Sequence, residues 1–518
     1  MWWEYRELQR RQGLEAASWH TFHRALRQMK LAGLLRFRKT GCHAKCTECE
    51  LYKKDLRTGS LSLQARAQVM ERYTTHVVEQ WLDRQVYENM QDLARSCLSA
   101  WRDGYRWQAS ALSSSALTVI ADGMDQAKFR VPRQLVHSHA FERLLRPALH
   151  VQGIWAHGAG YQLAVSDCDV MKDTAGNLEV LCRLLSDIYA EFGTLPLGLH
   201  LQQDNTSREC KNQKVLQFAI MLVAKRVFRW VCLSYLVTGH THTGLDATFG
   251  QLATKLSSSE FSTDVDVVRL LGEFAKYLGV DKASQAAAKC YKLDEVAPWC
   301  DWASEIGVYF NNITGPDAPR YLRVCLRSDL GNAMPVPHAS KAESAQEPSG
   351  AVGDCPHQAD DVMLVVKPRM HSLRVSQVIR VFPATLRHRI FRRPEPEGLH
   401  PRREGGEKVK EKVARTARAL CDEGVIDTAA RDYLAQWAEG SRPRIPRPSS
   451  YPFLQHRWQR EDELRGQSAR AGASSAARPV HVAILGLSGQ ALPHAPEEEA
   501  DNGVLVEAVE LLGPQESR

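Results

Sequence analysis

The sequence predicts a mixed α/β fold: a five-stranded sheet with flanking helices, centred on residues 111–330. Two observations predict it. Strand-like runs come first, ALTVIAD from Ala116, ALHVQGIWAHG from Ala148 and YQLAVSD from Tyr161, the last two close enough to form a hairpin. Helical and strand-like segments then alternate as NLEVLCRLLSDIYAEFG, LGLHLQQD, RECKNQKVLQFAIMLVAKRVF, WVCLSYLV and TGLDATFGQLATKL. The order strand, strand, strand, helix, strand, helix, strand, helix is the connectivity of an RNase H-like domain, in which three antiparallel strands precede helix-linked parallel ones.

Each element carries a local signal. In the helix after the hairpin, Leu178, Leu181, Leu184, Leu185 and Ile188 share one face and Gly193 marks its end. The chain has 518 residues, 44% hydrophobic and 25% charged, enough for a substantial core and two or three domains. The opening MWWEYRELQRRQ mixes charges with aromatics and lacks a signal peptide's apolar run, so secretion is not expected. The most apolar long stretch, Phe218 to Val237, is interrupted by Lys225, Arg226 and Arg229, which argues against a membrane span. Thirteen cysteines, odd in number and irregularly spaced, suit the reducing nucleus or cytoplasm better than a disulfide framework.

Residues 1–110 read as a helical N-terminal region. EAASWHTFHRALRQMKLAG spaces Trp19, Phe22, Leu26 and Met29 helically, which fits a plain amphipathic helix or part of a helix-turn-helix. GCHAKCTECELYKKDL follows, with Cys42, His43, Cys46 and Cys49 inside eight positions, and then a long polar helix from about Leu61 to Trp107. Cys46-x-x-Cys49 is one compact ligand pair for a zinc knuckle, whose second pair must come from elsewhere: His76, or His20 with His23. The same spacing fits free thiols on a helix-capping loop. Beyond Leu330, residues 331–361 read as a flexible linker. Residues 362–460 read as a basic region with helices at EKVKEKVARTARALCDEG and TAARDYLAQWAEG, and 461–518 as a mostly disordered tail.

Three carboxylates fall where this topology needs them. Asp122 ends the first strand, Asp204 ends the fourth, which runs parallel beside it, and Asp246 lies on the helix after the fifth. Phosphoryl transfer on such a fold uses two divalent ions, and hard Mg²⁺ or Mn²⁺ requires converging oxygen ligands. Singly, Asp122 in DGMDQ also fits a turn, and Asp204 with Asn205 a helix cap. Asp125, His240 and His242 are accessory candidates, and Arg208, Lys211 and Lys214 suit phosphate contacts or a solvated basic face.

At these residues the chain resembles a family of uncharacterised eukaryotic transposase-like proteins, spread by mobile elements and classed with RNase H-like (DDE-type) integrase cores. The resemblance rests on HAKCTEC (His43 to Cys49), DGMDQAKF (Asp122 to Phe129), QDNTSRECKN (Gln203 to Asn212), GHTHTGLD (Gly239 to Asp246) and TGPDAPRY (Thr314 to Tyr321). It implies that Asp122, Asp204 and Asp246 hold the catalytic Mg²⁺ or Mn²⁺ positions, that His43, Cys46 and Cys49 belong to a zinc-knuckle-like element, and that WHTFHRAL touches DNA. It also implies acidic residues between the second histidine and the final aspartate, where this chain has Thr243 and Gly244.

Two functions are therefore expected: a nuclear, metal-dependent nuclease and strand-transferase acting on DNA, or a decayed copy that binds nucleic acid without cutting it. A nuclease of the same fold directed at RNA is a weaker third, since no reader of the 2′-hydroxyl is evident.

Overall fold

Ahead of the sheet lie helices α1 (Trp19–Leu31), α2 (Thr47–Arg57) and the long α3 (Leu63–Arg102). The computed structural model describes residues 5–6, 9, 13–31, 46–57, 61–102, 115–124, 130–136, 138–237, 244–277, 289–310, 313, 318–330, 358, 360–372, 375–383, 385, 393–402 and 407–458. The expected disordered tail and most of the expected linker lie outside them. Among them, no helix is long and apolar enough to cross a membrane.

After α3 come β1 (Ala116–Gly123), the short α4 (His139–Glu142), β2 (His150–Ala156), β3 (Gly160–Ser166), α5 (Thr174–Phe192), β4 (Gly198–Gln203), α6 (Gln213–Ala224), β5 (Trp230–Tyr235) and α7 (Gly244–Ser257). β2 pairs antiparallel with β1 and β3, while β4 pairs parallel with β1 and β5, giving the order β3-β2-β1-β4-β5. Local chemistry sets the bounds of the two linking helices. Asp173 caps α5 by accepting from Ala175 N and Gly176 N, and Gly193 closes it in the left-handed conformation. The expected helix from Arg208 begins only at Gln213, because Asn212 accepts from Lys214 N and Val215 N as the N-cap.

The sheet departs from the expected five strands. Among the described residues it has nine, in the order β6-β3-β2-β1-β4-β5-β7-β8-β9. α8 (Asp264–Tyr277) leads to β6 (Lys289–Lys292), which adds parallel to β3. Past α9 (Trp299–Ser304), β7 (Tyr321–Leu326), β8 (Val362–Lys367) and β9 (Gln377–Phe382) extend the other edge as antiparallel neighbours. The sheet thus continues past residue 330, across the expected linker, into the stretch expected to be basic and partly helical. The helices expected there form as α10 (Glu407–Asp422) and α11 (Thr428–Glu439).

Alternating residues of each strand feed two cores on opposite faces of the sheet. Leu117, Val119, Leu199, Leu201, Val231 and Leu233 face α5, α6 and α9. Ile120, Val151, Leu163 and Cys232 face α3, α7, α8, α10 and α11. The C-terminal residues close both layers with buried charge. Arg442 bonds Asp167 and Asp294 and pairs with Asp264 at 2.8 Å, and Tyr451 Oη donates to the fully buried Glu179 at 2.7 Å.

Candidate functional site

In the parallel pair β1 and β4, Ile120 lies beside Gln202. Asp122 and Asp204, each two residues further on, therefore leave the sheet at the same edge. Asp246 approaches from the first turn of α7. Gly153 of β2 makes that approach close: it pairs in register with Asp122, and a Cβ there would meet Phe249 Cζ at 2.8 Å and Leu245 Cδ1 at 2.9 Å. With no side chain at 153, α7 lies directly on β2, one strand from Asp122.

The three acids interact electrostatically. Burial pushes the Asp122 carboxyl up to about 7, Asp246 and Asp204 add to the rise, and the Gly123 N–H, donating at 2.7 Å, and Lys172 oppose it. Both oxygens of Asp204 are set by its own turn: Asn205 N donates to Oδ1 at 2.7 Å and Thr206 Oγ1 to Oδ2 at 2.6 Å. The side chain of Asn205 bonds the carbonyl of Leu236, tying the exit of β4 to that of β5. Asp204 and Asn205 thus shape a turn, while the helix cap that either could have supplied comes from Asn212. Asp125, His240 and His242 lie outside the described residues, as does Thr243.

Gly244 has a packing reason to be glycine, since a Cβ there would meet Trp155 Cζ3 at 2.8 Å. The three basic candidates separate. Arg208 is exposed and Lys214 half-buried, but Lys211 is buried, donates to Asn205 Oδ1 at 3.3 Å and lies 5.0 Å from the centre of the Tyr235 ring. Burial, with Arg320 nearby, lowers its ammonium to about 8. Arg208 and Lys211 stand in the turn before α6 rather than on the helix.

Sequence reasoning missed Lys172 and Glu209. Lys172 Nζ is 3.5 Å from Glu209 Oε1, and the two line a small cavity with His150, Gln152, Asp173 and Asn177. Both residues act electrostatically on the site, Lys172 on Asp122, and Glu209 with Asp204, which helps burial raise the Glu209 carboxyl. Lys172 sits in an irregular loop after β3 with no motif around it, so only the fold reveals its position.

A second cluster joins Cys46, Cys49 and His76, all buried, with one ligand atom from each within 4.8 Å of the others. His76 was one of the alternatives for completing the cysteine pair, whereas Cys42 and His43 lie outside the described residues. Glu48 Oε2 is 2.8 Å from His76 Nδ1.

A family model described as a domain of unknown function (DUF7869) matches residues 141–333. The match takes in β2 through β7 with Asp204 and Asp246, and leaves out β1 with Asp122. No curated protein and no solved structure matches the chain.

Proposed function

We propose that this chain is a transposase-like protein whose RNase H-like core, β3-β2-β1-β4-β5 with its helices, performs metal-dependent phosphodiester cleavage and strand transfer on DNA in the nucleus. One observation carries the reading: Asp122 and Asp204 leave neighbouring parallel strands at one sheet edge, and Asp246 and Asp204 both help to raise the Asp122 carboxyl. The donor set is all carboxylate, which suits the hard ions Mg²⁺ and Mn²⁺. Crowding of like charge around a half-buried Asp122 is the electrostatic condition that a divalent cation offsets.

Two ions so held would activate the attacking oxygen and stabilise the leaving one. Asp122 and Asp204 would contribute to both positions and Asp246 would complete one. An oxygen of water or of a DNA 3′-hydroxyl would form the new bond to phosphorus as it gives up its proton to solvent, and the bond to the leaving oxygen would break as that oxygen takes up a proton from solvent. Arg208, exposed in the turn that follows Asp204, suits a phosphate contact.

A specific observation favours a second reading, that of a nucleic-acid-binding descendant that no longer cuts. A Cβ at Gly244 would meet Trp155 Cζ3 at 2.8 Å, so an acidic side chain there would have to displace the indole. Labelled duplex DNA incubated with Mn²⁺ separates the readings. An active enzyme cuts it, and Asp204→Asn abolishes cutting. A binder retards the DNA in a gel, loses it as salt rises, and leaves it intact with or without the substitution. Equal cleavage by both proteins would refute the assigned chemistry.

A further inference from the structure

We propose that Cys46, Cys49 and His76 form a zinc site, chemically separate from the carboxylates, that clips α2 and α3 to the exit of β5. Cys46 immediately precedes α2 and its carbonyl accepts from Glu50 N at 3.1 Å, so Cys46 and Cys49, three residues apart, lie on one face of that helix. His76 meets them from α3, with Nε2 at 3.4 Å from Cys46 Sγ. A tetrahedral zinc with ordinary bond lengths places thiolate and imidazole ligand atoms roughly 3.5 Å apart, and two thiolates roughly 3.8 Å apart. The 3.4 Å between Cys46 Sγ and His76 Nε2 matches the first of these distances, and all three ligand atoms lie within 4.8 Å of one another.

The chemistry of the donors selects the ion. Thiolates with imidazole favour zinc over the magnesium class that carboxylates take. Glu48, 2.8 Å from His76 Nδ1, is the outer carboxylate that orients a metal-ligating imidazole and fixes Nε2 as the donor atom. The cluster is nearly sealed from solvent, with Cys46, Cys49 and His76 exposed by 5%, 6% and 4%, which suits a structural metal better than a reactive thiol. Val237, two residues past β5, is buried against Cys46 and Cys49, with Tyr73 of α3 packed alongside. The clip thus anchors the strand that leads toward Asp246.

The test uses the full-length chain purified under reducing conditions without chelator. Elemental analysis is expected to find one equivalent of zinc, kept in Asp204→Asn and lost in Cys49→Ser and His76→Ala. Glu48→Gln should keep the stoichiometry while weakening affinity by about 10–100-fold. Because the ligand variants could fail by misfolding, wild type exchanged with Co²⁺ supplies an independent reading. Thiolate-to-cobalt charge transfer and intense tetrahedral d–d bands are expected. Removing the metal should also speed hydrogen exchange in α2, in the first half of α3 and at the end of β5. A wild-type chain that holds neither zinc nor cobalt overturns the site, as does a full equivalent in Cys49→Ser, or a Cys46–Cys49 disulfide in the reduced preparation. Unchanged exchange on metal removal overturns the clip. None of these outcomes depends on DNA cleavage, so they stand apart from the carboxylate chemistry.

Discussion

Two glycines beside the carboxylates set how near α7 can come to the sheet. Gly153→Val puts branched carbons where Phe249 and Leu245 already lie, at 2.8 and 2.9 Å from the first added atom. Overpacking of this kind costs about 1–3 kcal/mol. Asp246 rides on the displaced helix, so DNA cleavage should fall further than the loss of folded protein explains; a variant with wild-type turnover per folded molecule would count against this geometry. Gly244→Asp is the instructive opposite of a repair. It restores the acidic character that the resemblance implies before the final aspartate, yet its Cβ meets Trp155 at 2.8 Å. Chemical denaturation should show lower stability without a gain in cleavage. Sequence alone pointed to Asp122, Asp204 and Asp246 because their positions follow from element order. It did not reveal why 153 and 244 are glycines, since that reason is a contact between segments about 90 residues apart.

Among the elements, His157 just past β2 and His200 of β4 form a pair of buried imidazoles beneath α3. His200 Nε2 lies 2.7 Å from Ser234 Oγ, whose hydroxyl donates to Gln202 at 2.7 Å, while His157 Nε2 lies 3.1 Å from Tyr87 Oη. Burial lowers His157 and His200 to about 3, and does the same to His150 at the other end of β2. Histidine in an unfolded chain titrates near 6.5. Each group is therefore depressed on folding, so its stabilising contribution is complete above pH 6.5 and is lost as pH falls toward 3. The urea midpoint should drop between pH 7 and pH 5, before the carboxylate ion pairs are protonated; a constant midpoint across that window would contradict this burial. These strands were readable because period-two patterning and the cap residues Asp173 and Gly193 act locally. The strands β6 to β9 were not. Lys289–Lys292 is only four residues long, and β8 stands beyond a polar stretch that reads as the end of the domain.

At the scale of the molecule, several described cations of the basic stretch after residue 362 pair with acids of the core. Arg402 bonds Asp167, Lys410 approaches Asp169 at 3.7 Å, Arg369 meets Glu79 at 2.8 Å, and Arg442 bridges Asp167, Asp264 and Asp294. The sequence shows that this stretch is basic, but which partner each cation meets is decided by topology. Arg442→Met would remove the cation that Asp167, Asp264 and Asp294 share while Arg402 and Lys292 still pair with them, a change that costs about 3 kcal/mol, the low end for a broken buried pair. A fall of that size in unfolding free energy is expected, and a neutral result would show the C-terminal segment to be peripheral. The most direct test of the central claim compares Mn²⁺-dependent cleavage of duplex DNA by wild type, by Asp122→Asn, Asp204→Asn and Asp246→Asn singly, and by the triple variant. Three acids acting as one metal-binding unit predict that each single substitution lowers the rate by at least about a hundredfold and that the triple is hardly worse. Undiminished cleavage in any single variant would contradict a shared site.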